Sequence, residues 1–371
     1  MIYADNAATT KLDSEAFEAM VPWLRDEYGN ASQSYAFARK PKKALAEARV
    51  TIAECINALP EEIFFTSGGT ESDNWAIKGS AFSDAEKRAT ITSVFEHHAI
   101  LHSCEAIERL GYPVIYLMPT ADGVITAAVL SSMISNTTHL VSVMFANNEI
   151  GTIQPIKELC DVAHSHGALF HTDAVQAVGH VKIDVQELGV DMLSASAHKF
   201  NGPKGIGFLY IRKGTKILPY ADGGAQERQY RAGTENISSI FGMATALREN
   251  CAALDDHLVH TQALKRQLVD GLRAASIPFM CNGGENTLPG LISLSFAGED
   301  GEAIIHRMDL MGICISTGSA CNSENTVISH VLQSINLDEI LAKGTVRISF
   351  DKNNTKEDVD AIVNALVKIL K

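Results

Sequence analysis

Apolar, β-rich segments alternate with amphipathic helical segments through the middle of this chain, and this alternation limits the possible folds most strongly. The segments "EIFFTS", "TITSVFE" and "HLVSVMFANNE" are each followed by a helical pattern, and "ALFHTDAVQ" comes after the last of these. Continuous apolar strands separated by amphipathic helices are typical of a parallel sheet with helices on both faces. The pattern predicts an α/β fold with a large domain built on a mainly parallel, doubly covered sheet.

A different pattern occupies the last third of the chain. A long helical pattern at 253–275 is followed by the apolar segments "LISLSF" and "VRISF" and by a closing helical pattern at 356–371. The chain has 371 residues, about twice the length of a typical domain. We expect a large domain over 13–255 and a smaller α+β domain formed by 1–12 and 256–371.

Charge and hydropathy exclude several classes of function. The formal net charge is −13 and the basic residues are scattered, so we expect no direct binding of nucleic acid. No apolar run reaches the ~18 residues needed to span a bilayer, and acidic residues interrupt the N-terminal segment, so we expect no membrane contact and a cytoplasmic protein. The seven cysteines include no CxxC pair, which argues against a disulfide framework.

Polar residues close the predicted strands. Because the carboxyl ends of parallel strands meet at one edge of a sheet, these residues should converge there. They are Thr66 to Thr70, Glu96, His97, Asn147, Asn148, Asp173, Gln176 and Ser196 to Lys199.

Three of these features suggest chemistry, although each has an ordinary alternative. The turn before Thr70 could bind a phosphate at a helix N-terminus, or Thr70 could simply cap the helix. Asp173 ends a buried strand, where a structural ion pair is the more common reason for a carboxylate. Lys199 could leave the sheet for solvent, or it could be an amine that condenses with carbonyl groups. Together they match the needs of pyridoxal phosphate: a lysine, an acid for the ring nitrogen and a phosphate anchor.

Nine segments, in order along nearly the whole chain, resemble the cysteine desulfurases of the NifS/IscS type. These enzymes form part of the class V aminotransferase group of fold-type I pyridoxal phosphate enzymes. The segments are "YADNAATT", "SGGTESDN", "EHHAI", "NNEIGTIQPI", "HTDAVQA", "SASAHKFNGPKGIGFLYIR", "RAGTEN", "STGSACNS" and "GTVRISF".

The resemblance implies a role for each matching residue. Lys199 would carry pyridoxal 5'-phosphate as a covalent aldimine, Asp173 would pair with the ring nitrogen, and His97 would stack on the ring and exchange protons with the substrate. Arg347 would bind the substrate carboxylate. The other implied cofactor contacts are Gly69, Thr70, Asn148 beside the cofactor, Gln176 on the ring oxygen, Ser196, His198, and Thr234 reaching across from the second subunit of a homodimer.

The resemblance also implies the reaction. Cys321 in "STGSACNS" matches the family's nucleophile, so L-cysteine would yield L-alanine while its sulfur passes to Cys321 as a persulfide. A loop position would let this sulfur reach both the cofactor and an acceptor protein. The acceptor would be an iron–sulfur scaffold or a thiolation enzyme.

Some alternatives stay open at this stage. Another lyase or transaminase on the same fold, acting on selenocysteine or cysteine sulfinate, would not need Cys321, and a non-catalytic docking paralogue would need none of the chemistry. Zinc is conceivable at His98 and His102, or at Cys160, His164 and His166, but neither set has complete standard spacing, so we expect no metal.

Six positions depart from the family's usual pattern. We expect Ala31, Gln33 and Tyr35 to border the mouth of the site and to alter substrate access. Asp351 stands where glycine is usual, so the backbone turn just after Arg347 is expected to differ from the family's. The other two, Glu324 and Ile328, follow Cys321.

Overall fold

A computed structural model describes residues 1–84, 86–318 and 328–371 of the chain. Up to residue 173 the elements are β1 (Ile2–Tyr3), α1 (Ser14–Arg25), α2 (Arg39–Cys55), β2 (Ile63–Thr66), α3 (Gly69–Ala81), β3 (Ala89–Ser93), α4 (His98–Glu108), β4 (Val114–Leu117), α5 (Ala127–Met133), β5 (Thr138–Ser142), α6 (Ile156–Ser165) and β6 (Leu169–Asp173). The later elements are α7 (Val185–Leu188), β7 (Met192–Ser196), β8 (Gly207–Ile211), α8 (Ile237–Ala252), α9 (Leu254–Ala274), β9 (Met280–Asn282), β10 (Leu291–Ser295), α10 (Gly301–Leu310), β11 (Ile313–Cys314), α11 (His330–Ser334), α12 (Glu339–Lys343), β12 (Thr345–Ser349) and α13 (Lys356–Leu370).

A seven-stranded sheet organises the first two thirds of the chain. Its strand order is β2-β8-β7-β6-β5-β3-β4. Strand β8 is antiparallel to both of its neighbours, and the remaining neighbouring pairs are parallel. The mainly parallel sheet expected from the sequence is confirmed, and the carboxyl ends of β3, β5, β6 and β7 lie along one edge.

Apolar side chains of the sheet pack into cores on both faces. Along β2, Phe64 packs into one core with Trp75 of α3, whereas Ile63 and Phe65 pack into the core on the other face. Helix α6 buries one side, since its buried residues follow the helical repeat from Ile156 through Leu159, Cys160 and Ala163. Burial on both faces explains why these strands read as continuous apolar runs.

The C-terminal part of the chain has its own core. An antiparallel sheet of order β12-β10-β9 packs with α9, α10 and α13 around a third group of buried apolar side chains. Ala4 belongs to this core, and β1 pairs in parallel with β11, so the first residues join the last third. The domain boundaries at residues 13 and 256 stay a prediction.

Two element boundaries differ from the sequence expectation. Helix α3 begins at Gly69, so Thr70 lies in its first turn and does not cap it; the chain enters the helix from Gly68, whose φ of +151° suits glycine. Strand β7 ends at Ser196, and Lys199 lies in the short 3-10 turn Ala197–Lys199 that follows. Among the described residues, no helix combines the length and the apolarity that crossing a bilayer requires.

Candidate active site

A cavity of about 570 Å³ lies at the carboxyl ends of the parallel strands. Ten of the predicted site residues line it: Gly69, Thr70, His97, Asn148, Asp173, Gln176, Ser196, His198, Lys199 and Arg347. They come from six separate segments, so the sheet edge brings together residues that are far apart in sequence. Ala31, Gln33 and Tyr35 are not among its lining residues, and the expectation that they border it is not met by this chain alone.

Lys199 points inward rather than leaving the sheet for solvent. Its Nζ donates hydrogen bonds to the carbonyl oxygens of Ala7 and Ala8, at 2.6 and 2.9 Å. Its own carbonyl oxygen accepts a hydrogen bond from Nε2 of the buried His180, at 2.7 Å. The amine is therefore held at the cavity wall by the N-terminal segment, and the backbone beneath it is fixed.

The first turn of α3 offers an anion site. Gly68 and Gly69 bring the backbone close to its neighbours: a Cβ on Gly69 would lie 2.6 Å from the side chain of Val175. The hydroxyl of Ser196 lies next to Gly68, and Nδ1 of His198 is 3.1 Å from the hydroxyl of Thr9. The N–H groups of a helix's first turn have no acceptors within the helix, so this corner suits a phosphate group.

Asp173 is a buried carboxyl at the end of β6. Burial raises its pKa to about 6, while a hydrogen bond from the backbone N–H of Val175 and the charge of Lys199 oppose that rise. A carboxyl group whose pKa is raised by burial but lowered by a hydrogen bond and a nearby positive charge is ionised near neutral pH when a cation lies beside it. Asp173 is thus suited to pair with a protonated ring nitrogen.

A layer of buried polar side chains lies next to Asp173, and sequence reasoning missed it. His171 is 2.9 Å from the hydroxyls of both Ser142 and Ser194, and burial lowers its pKa to about 3, so it is neutral. Oδ1 of Asp73 lies 3.8 Å from this ring, and no hydrogen-bond partner for that oxygen exists among the described residues. Burial and the charge of Asp173 raise the pKa of Asp73 well above its ordinary value. This shift favours the neutral form of Asp73.

Glu96 is a second buried acid beside the cavity. It accepts hydrogen bonds from the Ser93 hydroxyl, at 2.6 Å, and from the backbone N–H of Met144, at 3.0 Å. Burial nevertheless raises its pKa to about 8. At pH values between the ordinary pKa of a glutamate and about 8, Glu96 therefore keeps its proton in the folded protein but has lost it in the unfolded chain.

The Glu96→Gln protein should lose part of the pH dependence of stability. An ordinary glutamate titrates near ~4.3, so the stabilising contribution of protonated Glu96 is complete below that pH and falls as pH rises to about 8. Between pH 5.5 and 7.5, the free energy of unfolding of the unaltered protein should fall by on the order of 1 kcal/mol per pH unit more than that of the variant. Urea unfolding at both pH values measures this. Equal slopes would contradict it, and the exposed Glu187→Gln provides the matched control.

His97 lies at the N-terminus of α4. Its Nδ1 accepts a hydrogen bond from the backbone N–H of Ala99, at 3.1 Å, which assigns the ring proton to Nε2. Burial, and then the charge of Lys199, lower the pKa of His97 to about 4. The ring is neutral near pH 7 and has one N–H available to donate.

Arg347 is held by two regions of the chain. Its Nη2 is 2.7 Å from Oδ1 of Asp5, and its Nη1 donates to the carbonyl oxygen of Asn148 at 2.8 Å. Its Nε is buried and has no hydrogen-bond partner in the described part of the chain. Sequence reasoning missed the pairing with Asp5, although the segment "YADNAATT" was among those that carried the resemblance. The turn after Arg347 is ordered by Asp351, which accepts hydrogen bonds from Asn201 and from the backbone N–H of Asn353.

Two predicted residues are not placed in this cavity. Thr234 is exposed and does not line it; the nearby Arg231 forms an ion pair with Glu71 of α3, at 2.8 Å. Cys321 and the neighbouring Glu324 lie outside the described residues. Gln176 lines the cavity, and its amide donates to the carbonyl oxygen of Ala7, at 2.9 Å.

The histidine clusters considered for zinc have other contacts. His164 is 2.8 Å from Asp191, whose carboxylate raises the pKa of His164 to about 10. The rings of His98 and His102 stack with centroids 5.1 Å apart. Within residues 1–84, 86–318 and 328–371, no three His, Cys, Asp or Glu side chains are arranged to hold a metal ion.

Comparisons with known proteins agree with this geometry. The model of the family "Aminotransferase class-V" matches residues 2–362. A cysteine desulfurase IscS of Dictyoglomus turgidum is 46% identical over 371 residues, which cover 100% of this chain and 94% of the relative. A solved NifS-like protein superposes with a TM-score of 0.94 at 36% identity, covering 100% of this chain and 99% of its own. A structure of SspA in complex with cysteine has a TM-score of 0.85 at 36% identity, covering 96% of this chain and 100% of its own. The chain therefore belongs to the class-V aminotransferase family and, within it, to the cysteine desulfurases.

Proposed function

We propose that this chain converts L-cysteine to L-alanine with pyridoxal 5'-phosphate as cofactor and receives the sulfur on Cys321. The observation that supports this most is that Lys199, Asp173 and the first turn of α3 line one cavity. An amine, a buried acid and an anion site are the three things this cofactor needs from a protein.

The residues present suit the cofactor. The N-terminal turn of α3, Ser196 and His198 would hold its phosphate, and Asp173 would keep its ring nitrogen protonated. Because burial favours the neutral form of Asp73, Asp173 would be the partner for that positive charge. When bound, pyridoxal phosphate supplies an aldehyde that bonds to amines and a ring that draws electrons from the substrate's Cα.

Lys199 and His97 would move the protons. The Nζ of Lys199 is hydrogen-bonded to the carbonyl oxygens of Ala7 and Ala8, and as a neutral amine it would take the proton from the substrate's Cα. His97 is neutral and carries its proton on Nε2, so it would exchange a proton with the substrate's sulfur. Both groups act at positions that their own hydrogen bonds hold in place.

Arg347 would bind the substrate's carboxylate. Its side chain is only 4% exposed and lines the cavity, and each Nη carries a second N–H besides the one that bonds to Asn148 or Asp5, which leaves donors for a carboxylate. Asp5 and the carbonyl oxygen of Asn148 hold the two Nη atoms and fix the plane of the guanidinium group. This orientation would place the substrate's Cα relative to Lys199.

Cys321 would accept the sulfur. Its thiolate attacks the sulfur of the bound substrate, the S–S bond of a persulfide forms, and the carbon–sulfur bond breaks. The electron pair of that bond stays with the carbon fragment, which gains a proton and leaves as alanine. The persulfide then passes its outer sulfur to an acceptor thiol, for which we propose an iron–sulfur scaffold or a thiolation enzyme.

We further propose that the protein acts as a homodimer. Thr234 is exposed in the single chain. It is close in sequence to Arg231, which forms an ion pair with Glu71 of α3, the helix proposed to bind the phosphate. A second subunit placed against this segment would receive Thr234 at its own phosphate site.

The purified protein provides the test. With pyridoxal phosphate bound through Lys199 it should be yellow, and addition of L-cysteine with a thiol reductant should yield equal amounts of alanine and sulfide. Alanine from selenocysteine or cysteine sulfinate but none from L-cysteine would contradict the assignment and favour another lyase. A protein that never acquires the visible absorbance would favour a docking role.

A further inference from the structure

Glu149 has no part in the chemistry proposed above, yet its carboxylate is buried. The side chain lies in the turn after β5, lines the cavity and is 5% exposed. Oε2 accepts a hydrogen bond from the hydroxyl of Ser329, at 2.5 Å. Ser329 also caps α11 by accepting from the backbone N–H of Val331, at 3.1 Å. The carboxylate is thus bonded to the start of the helix that follows residues 319–327.

The same carboxylate contacts the other end of that segment. Gly318 packs on Glu149 so closely that an added Cβ would lie 3.3 Å from Oε2 and 3.4 Å from the Cβ of Glu149. Gly318 also has a φ of +91°, which favours glycine. Its backbone N–H donates to the hydroxyl of Ser316, at 3.0 Å, and Ser316 is hydrogen-bonded through its backbone to Arg347.

Glu149 is itself held firmly. Its backbone N–H donates to Oδ1 of Asn147, at 2.9 Å, and the amide of Asn147 donates to the carbonyl oxygen of Phe95, at 3.1 Å. Burial raises the pKa of Glu149, whereas the Ser329 hydroxyl and the charge of Arg347 lower it. A fixed side chain that contacts both Gly318 and Ser329 can set the positions of the residues on either side of 319–327.

We propose that Glu149 is a positioning residue for sulfur transfer, because it ties Gly318 and Ser329, on either side of the segment that carries Cys321, to the wall of the cavity. This rests on the proposed function, in which Cys321 receives the sulfur. The hydrogen bond to Ser329 and the packing of Gly318 set where the segment begins and ends relative to Arg347. Losing them would slow the step that needs Cys321 without altering the earlier proton transfers.

The experiment compares three variants of the full-length protein. Glu149→Ala removes the hydrogen bond and the carboxylate beside Gly318, Ser329→Ala removes the hydrogen bond, and Glu149→Gln keeps an oxygen that can accept from Ser329. Ser334→Ala is the matched control, because its hydroxyl donates within α11 to the carbonyl oxygen of Val331, at 2.7 Å, and lies outside the proposed contact. Rapid quenching with mass spectrometry measures persulfide on Cys321, and the absorbance change after L-cysteine measures the earlier steps.

We expect persulfide formation to slow about tenfold in Glu149→Ala and Ser329→Ala, with the rate of the absorbance change kept within about twofold. Glu149→Gln should keep most of the rate of persulfide formation that Glu149→Ala loses. Hydrogen exchange in the peptides around 316–318 and 328–334 should accelerate in Glu149→Ala, both with and without pyridoxal phosphate.

Other results overturn the proposal. Unchanged persulfide rates and unchanged exchange would show that Glu149 does not fix these ends. Equal slowing of the absorbance change and of persulfide formation would show that Glu149 serves the cofactor site as a whole. If the unaltered protein forms no persulfide on Cys321, the proposed function fails. The hydrogen-exchange data then test separately whether Glu149 holds Gly318 and Ser329 in place.

Discussion

The Lys199→Ala protein is expected to lose alanine production from L-cysteine by about 10³-fold or more, since one amine would both hold the cofactor and move the Cα proton. The visible absorbance of the cofactor bound through Lys199 should also disappear, because the variant retains no amine next to Ala7 and Ala8 to form that bond. Alanine release and the absorption spectrum measure the two effects.

Lys213→Ala is the matched control. Lys213 follows β8 much as Lys199 follows β7, but its side chain is 73% exposed, with its Nζ 3.7 Å from Oε1 of Glu61. It should keep both the absorbance and the activity. Alanine production near the unaltered rate in Lys199→Ala would contradict the role given to this lysine.

The Cys321→Ala protein should keep the absorbance and bind L-cysteine, yet produce alanine at least about 10²-fold more slowly. The physical reason is that no thiolate remains at position 321 to accept the sulfur atom when the carbon–sulfur bond breaks. Cys281→Ala is the control, because Cys281 is an exposed free thiol on β9.

Equal alanine production by Cys321→Ala would change the assignment. It would mean that sulfur leaves the substrate directly, as expected of a lyase that acts on selenocysteine or cysteine sulfinate. The two variants therefore separate two levels of the proposal, since Lys199 tests the cofactor chemistry and Cys321 tests the transfer of sulfur.

Local sequence patterns predicted that the residues closing the parallel strands meet at the site, whereas Arg347 was expected there only from the family resemblance. Lys199 and Asp173 each follow an apolar run that can only be a buried strand, and parallel strands place their carboxyl ends together. The alternation of strands and helices is a short-range signal, so it also predicted the sheet that orders them. The choice between a lysine in solvent and one in a cavity needed the contacts with Ala7 and Ala8.

Contacts between distant segments could not be predicted in this way. Asp5 meets Arg347 because β1 packs beside β11 and β12, and nothing near residue 5 in the sequence indicates that position. Asp73 lies on the inner side of α3, where its neighbour is set by how the helix rests on the sheet. The contact between Glu149 and Ser329 likewise depends on the packing of two loops.

In the proposed reaction, sulfur from L-cysteine becomes bound to Cys321. Mass spectrometry of the protein after brief treatment with L-cysteine tests this directly, with and without a candidate acceptor protein. We expect a mass increase of one sulfur atom on the peptide that contains Cys321, which an acceptor then removes. Alanine formed while that peptide stays unmodified in the absence of any acceptor would contradict it.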